Sequence, residues 1–207
     1  MPSIAMATPP LGSAFYPPGA GEKAMPTPAY ISIRGETQGH ITQGAFTAES
    51  VGNIFVEGHE DEILVQEISH HISVPTDPQS GQPAGQRVHG PLTFTCALNK
   101  ATPLLYNALT SGEMLPTVEL SWYRTSIEGK QERFFTTILT NAIIVDIDLV
   151  MPHAQDKNNK DFTQFLKVSM TYRGITWEHL IANTSGSDDW RKPKEAGAAT
   201  LQPAAAG

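Results

Sequence analysis

Cysteine is almost absent from this chain: Cys96 stands alone among 207 residues. A disulfide within the chain is therefore excluded, and so is a metal site built on several thiolates. Long apolar runs are also missing. None approaches the ~20 residues a membrane-spanning helix requires, so membrane insertion is not expected. The first residues lack the basic start and apolar stretch of about 7–15 residues that mark a secretory leader; any export is expected to take another route. Positive charge is scarce as well. Lys and Arg number 14 against 21 Asp and Glu, a formal net charge of −7, and the basic residues form no cluster. Phosphate contacts need a positive surface, so nucleic acid is not an expected partner.

What remains is enough for a core. Apolar residues make up 40% of the chain and charged ones 17%, a balance that argues against global disorder. The length fits one β-rich domain with residues to spare. Residues 1–24 carry Pro9-Pro10 and Pro17-Pro18 with no periodicity, which breaks helix and strand alike and predicts a flexible N-terminal extension. Met25 opens the domain, expected to run over 25–195, and residues 196–207 form a second small-residue tail. That tail is too short to bury a core of its own.

Within the domain the dominant period is two, the period of a strand. Phe162, Gln164, Leu166, Val168, Met170 and Tyr172 share one face. Val118, Leu120 and Trp122 alternate with Thr117, Glu119 and Ser121, and the rhythm recurs around Ile68, Ile72 and Val74. Ile143, Val145, Ile147, Leu149 and Met151 form a further stripe, facing away from Asp146 and Asp148. Cys96 falls in the run Val88, Leu92, Phe94, Cys96, Leu98 and reads as a small buried apolar residue. One segment breaks the period: in NKATPLLYNALTSGE, Leu104/Ala108 and Leu105/Leu109 are four apart, as one helix face requires. Thr102 can cap it, Pro103 suits its first position and Gly112 its exit. The pattern predicts a mainly β protein, a compact antiparallel barrel or sandwich with a single flanking helix of about ten residues.

Candidate chemistry was sought next. His70 and His71 are adjacent on a predicted strand and would point to opposite faces. His40, His59, His89, His153 and His179 are scattered without ligand spacing. Glu57, Glu60, Asp61 and Glu62 cluster in VEGHEDE, where the glycine and flanking polar residues read as a solvated loop without converging partners. The tract VPTDPQSGQPAGQRV reads as a long hairpin loop. DKNNKD lacks the central Gly and final Glu of an EF-hand and reads as a polar turn. NTSGSDDW is not the Gly-x-Ser-x-Gly elbow of a hydrolase. No catalytic residue, metal ligand or cofactor is assigned.

Six longer stretches are informative together: YISIRGETQGHITQGAF, SVGNIFVEGHEDEILVQ, PTDPQSGQPAGQRVHGPLTFT, PLLYNALTSGEMLPTVELSWYRT, FFTTILTNAIIVDI and ITWEHLIANTSGSDDWR. In this order they resemble the haemolysin-coregulated protein family, Hcp, from about Met25 to Glu195. The resemblance implies two antiparallel sheets forming a barrel with a flanking helix. It also implies a homohexameric ring, stacked into the inner tube of a type VI secretion apparatus. Such a tube meets sheath, tip and baseplate proteins, carries effector proteins in its lumen, and is expelled from the bacterial cytoplasm. By the same resemblance, the extended stretch near Ser50–Glu67 projects toward a neighbouring ring. Val56, Glu57, Gly58, His59, Glu60, Asp61, Glu62, Ile63 and Leu64 are then the candidate contact loop. The competing reading is a monomeric β-sandwich binding module, which solution mass separates from a ring.

Overall fold

The computed structural model describes residues 27–159 and 163–191. Both expected tails, and Phe162 of the predicted stripe, lie outside the described residues.

Strands β1 (Ala29–Gly35) and β2 (Gly39–His40) come first, followed by a four-residue helix α1 (Ala48–Val51) and one 3-10 turn (Gly52–Ile54). Next are β3 (Ile63–Val65), β4 (Glu67–Ser69), β5 (Ile72–Ser73), β6 (Val88–His89) and β7 (Leu92–Ala97). Helix α2 (Thr102–Ser111) precedes β8 (Leu115–Thr125) and β9 (Gln131–Val150). The described chain closes with β10 (Phe165–Thr171), β11 (Gly174–His179) and β12 (Thr184–Asp189). All pairings are antiparallel.

Alternation in the sequence becomes an inside and an outside. Ile31 and Ile33 of β1 pair with Leu120 and Val118 of β8, and all four are buried. On the opposite wall Leu166, Val168 and Met170 of β10 pair with Cys96, Phe94 and Leu92 of β7, again all buried. Two segments pass from one wall to the other and so close the barrel. β9 pairs with β8 and β11 through its first part and with β10 through Ile143–Val150. The run β3–β4 pairs first with β1 and then with β7. A strand of 20 residues cannot stay straight around so small a core. β9 bends by two register shifts, one opposite Trp122/Tyr123 and one opposite Ser169/Met170, the bulge device that turns a strand. Between them Asn141 adopts φ 51°, a left-handed conformation that Asn tolerates better than most residues.

The second shift corrects a reading made from periodicity. Val145 is the extra residue, so Ala142 and Ile144 point into the core, while Ile143, Val145, Leu149 and Met151 are exposed and Ile147 is half-buried. The predicted stripe is split by this bulge: Ile143 lies on the outward face with Val145 exposed at the bulge, whereas Ile147 and Leu149 stand opposite the buried Val168 and Leu166 on the core face.

Helix α2 lies where predicted and buries Leu105 and Ala108 against the barrel. Its start differs from expectation. Thr102 is already helical, no side chain caps the helix, and the Thr102 hydroxyl instead accepts the Asn99 N–H at 3.1 Å. Gly112 ends the helix at φ 65° with its N–H on the Ala108 and Leu109 carbonyls, the left-handed exit that glycine makes without strain. Helix α1 is an additional element beyond the single helix predicted. The tract after β5 is a long hairpin: β5 pairs with β6, with one further bridge between Thr76 and Pro83. DKNNKD contains one 3-10 turn at Lys157–Asn159.

Candidate assembly surfaces

The predicted contact loop is more tightly held than its composition suggests. The stretch near Ser50–Glu67 is not extended: it comprises the end of α1, the 3-10 turn, a series of turns, and β3. His59 stacks on Tyr30 with centroids 3.6 Å apart and bonds Glu62 at 2.6 Å. The Glu60 carbonyl accepts the Phe46 N–H at 3.0 Å, and Asp61 accepts the Gly44 N–H at 2.9 Å. Burial, then the nearby Glu62 and Tyr123, raise the Tyr30 hydroxyl above its ordinary pKa. Ile63 belongs to the core and Leu64 is half-buried on β3, where it pairs with Tyr30. Of the nine named residues, Val56, Glu57, Gly58 and Asp61 are exposed. Val56, with the neighbouring Ile54, supplies the apolar surface available to a partner. Three of the four acids are engaged locally: Glu60 accepts the Gly58 N–H at 3.0 Å, Asp61 the Gly44 N–H, and Glu62 meets His59.

A buried polar cluster was missed in the sequence. His70 and His71 lie in the link between β4 and β5 rather than on a strand. His70 Nε2 lies 2.6 Å from the Tyr172 hydroxyl, and His89 Nδ1 lies 2.8 Å from the same oxygen. His89 Nε2 contacts Asp188 at 2.9 Å. Arg87 grips that carboxylate through Nε and Nη2, and donates to the Asp189 carbonyl at 2.9 Å. The cluster joins positions up to 102 apart in sequence, so no local spacing could have revealed it. An Asp–His–Tyr chain has the connectivity of a base-activated nucleophile. Here, though, the hydroxyl is buried and engaged on both sides. Burial, then Asp188, also raise its pKa, which makes it a poor nucleophile. Among the described residues, no three His, Cys, Asp or Glu are grouped to hold a metal.

The wall formed by β4, β7, β10 and the second part of β9 has a different property. β7 and β10 are paired on both sides. β4 pairs only with β7, and Ile143–Val150 of β9 pairs only with β10. Both outer edges of this four-stranded sheet are open among the described residues. One edge carries the exposed Ile143, Val145, Leu149 and Met151. Unpaired backbone beside exposed apolar side chains is the feature that proteins cover with a partner or disrupt with charge.

This antiparallel barrel fold is shared by known proteins. Residues 30–179 match the family described as "Type VI secretion system effector, Hcp", and the chain belongs to that family. It is 57% identical over 169 residues to the "Major exported protein" of Pseudomonas aeruginosa, covering 82% of this chain and 98% of that one. Among solved structures, a crystal structure of an Hcp protein is 61% identical with a TM-score of 0.75, over 79% of this chain and 99% of the other. The secreted protein Hcp3 of Pseudomonas aeruginosa is 50% identical with a TM-score of 0.69, over 81% and 100%. The antiparallel barrel and the family drawn from the six sequence stretches are thus both confirmed.

Proposed function

We propose that this chain is a structural subunit of the type VI secretion inner tube, not an enzyme. Copies close into homohexameric rings, and the rings stack into a tube that carries effector proteins and is expelled on contraction. Assembly begins in the bacterial cytoplasm against sheath, tip and baseplate proteins. Exit through the apparatus itself requires no leader. The observation that carries this reading is the four-stranded wall with two open edges. The β9 edge of one copy can meet the β4 edge of the next, a head-to-tail contact that closes by rotation into a ring. Six is the number the family resemblance implies.

The wall's two faces then have fixed roles. One packs on the barrel core, and the bulk of the domain must sit outside the wall, because circumference grows with radius. The outward face of the wall lines the lumen. Across its strands run Asp148, Lys167, Thr95 and Glu67 in one rung, and Asp146, Ser169, Thr93 and Ser69 in the next. Such a polar surface gives a folded cargo no large apolar patch to adhere to.

Light scattering over micromolar concentrations tests the proposal. A particle of six times 22.4 kDa is expected. A monomer throughout overturns it and leaves the β-sandwich binding module as the reading to pursue.

A further inference from the structure

Among the described residues, the β5–β6 pair joins no other strand. Most of residues 74–88 is exposed. What holds this hairpin and the preceding β4–β5 link to the barrel is the cluster around Tyr172. His70 reaches that hydroxyl from the link, and His89 reaches it from β6. His89 and Arg87 also bind Asp188 of β12. Gly90 donates to the His71 carbonyl at 2.8 Å, which closes the hairpin base locally, and the Trp190 indole donates to the Tyr172 carbonyl. The side chains of His89 and Asp188 are only 4% and 7% exposed, so water cannot substitute freely for a lost partner.

Counting protons on this cluster gives a definite result. Two contacts converge on one hydroxyl, which has one proton to donate and lone pairs to accept with. Asp188 is an acceptor, so His89 directs its Nε2–H at the carboxylate. A neutral His89 then presents a bare Nδ1, which accepts the Tyr172 O–H. The Tyr172 oxygen in turn accepts Nε2–H from His70. Charging His89 reverses the chain: its Nδ1–H points at the oxygen, and the O–H turns to a bare Nε2 on His70. Both arrangements satisfy the Tyr172 hydroxyl, both His89 nitrogens and His70 Nε2. With both rings charged, two N–H groups face one oxygen, the hydroxyl proton loses its acceptor, and two cations share a single partner.

We propose that His70, Tyr172 and His89 form a clasp that holds the β4–β5 link and the hairpin to the barrel while at most one ring is charged, and releases them when both are. His70 is the ring that opens it, because His89 stays anchored by Asp188. Other charges facing the cluster are His71 beside His70, Arg87 ahead of β6, Asp189 on β12, and Arg173 and Arg191 along the groove above Tyr172. Burial first, then His89 and His71, hold His70 below the ordinary imidazole value of 6.5. A base with a depressed native pKa binds fewer protons folded than unfolded. Its contribution is complete above about 6.5 and is lost as pH falls below it. The clasp stands whether or not copies form rings. Should they do so through β4, its release acts on the end of that edge strand.

Hydrogen exchange on the full chain, at about pH 7.5 and about pH 5, reads the clasp directly. Referring each segment to the β8–β9 core cancels the intrinsic pH dependence. Residues 68–90 are expected to lose protection relative to that core in acid, because protonating His70 removes the clasp. His70→Gln keeps a donor to the Tyr172 oxygen but takes up no proton, so its segment should stay protected at both values. An unchanged wild-type segment, or an equal loss in His70→Gln, overturns the proposal. Should His70→Gln fail to fold, wild-type NMR still decides. The His70 ring must take up its proton below the ordinary value and in step with the opening; ordinary titration with the hairpin undisturbed overturns the clasp. Particle mass on the same samples reports ring integrity separately.

Discussion

The carboxylate of Glu113 stands where a β-carbon on residue 35 would have to be, and residue 35 is glycine. This close approach lets Glu113 Oε1 accept the N–H groups of Thr37 and Gln38 at 2.7 and 2.8 Å, while Oε2 accepts the Gln38 side-chain amide at 2.6 Å. The turn between β1 and β2 is thereby fastened to the link between α2 and β8. Burial acts to raise the Glu113 carboxyl, but the bonds from Gln38 and Thr37 outweigh it and hold the group below its ordinary 4.5.

Glu113→Gln is therefore expected to cost roughly 1–3 kcal/mol at neutral pH, the range for a charged acceptor removed from buried donors. Gly35→Ala should cost a similar amount by displacing the carboxylate. A carboxyl depressed in the native state stabilises above its unfolded pKa and loses that contribution as pH falls through its native value. The Glu113→Gln deficit in urea unfolding should thus shrink below about pH 4.5. A deficit independent of pH would show that shape, not charge, holds this turn.

Cys96 should be inert in the native protein. It is fully buried, and burial pushes its thiol up to about 12, so almost no thiolate exists near neutrality. A maleimide reagent should leave the folded chain unmodified and label one site per chain in denaturant. Rapid native labelling would mean that the wall carrying β7 opens.

The β9 edge separates folding from assembly. Val145→Asp places a charge on an exposed bulge residue and should change stability by only about 0.5 kcal/mol, yet it should reduce ring mass to that of the monomer. Ile144→Asp, one residue earlier, buries a charge in the core and should prevent folding. If Val145→Asp forms rings as well as wild type, this edge is not the neighbour contact.

Stacking should depend on salt and on the Val56 loop. Six copies at −7 each repel at long range, and the screening length shrinks from roughly 30 Å at 0.01 M salt to roughly 3 Å at 1 M. Higher salt is expected to lengthen tubes seen by electron microscopy, with exposed apolar groups supplying attraction at contact. Val56→Asp should shorten them and leave ring mass intact. Leu64→Asp tests something else. On β3, half-buried and paired with Tyr30, it should damage the ring by damaging the fold.

Several readings carried over from sequence to structure for one reason: they depend on neighbours along the chain. A period of two in β8 and β10, four-residue spacing and Gly112 in α2, and the long Pro/Gly tract between β5 and β6 are all local patterns. The helix cap at Thr102 failed because Ser, Thr and Asn compete for the same local backbone bonds, and Asn99 engaged first. The splitting of the β9 stripe between two faces could not be read locally. A bulge shifts parity by one residue, and only the pairing of β9 with β10 shows where it falls.

By itself, then, the sequence determined the β class, the single buried thiol, the absence of nucleotide- or metal-binding motifs, and, through six long stretches, the family. Tertiary structure decided which apolar residues are core and which are surface, that one wall keeps two open edges, and that two unrelated histidines share one hydroxyl. The division has a physical cause. Alternation and turn chemistry act between residues a few positions apart, whereas edges, bulges and buried proton networks exist only once strands distant in sequence are paired and water is excluded between them.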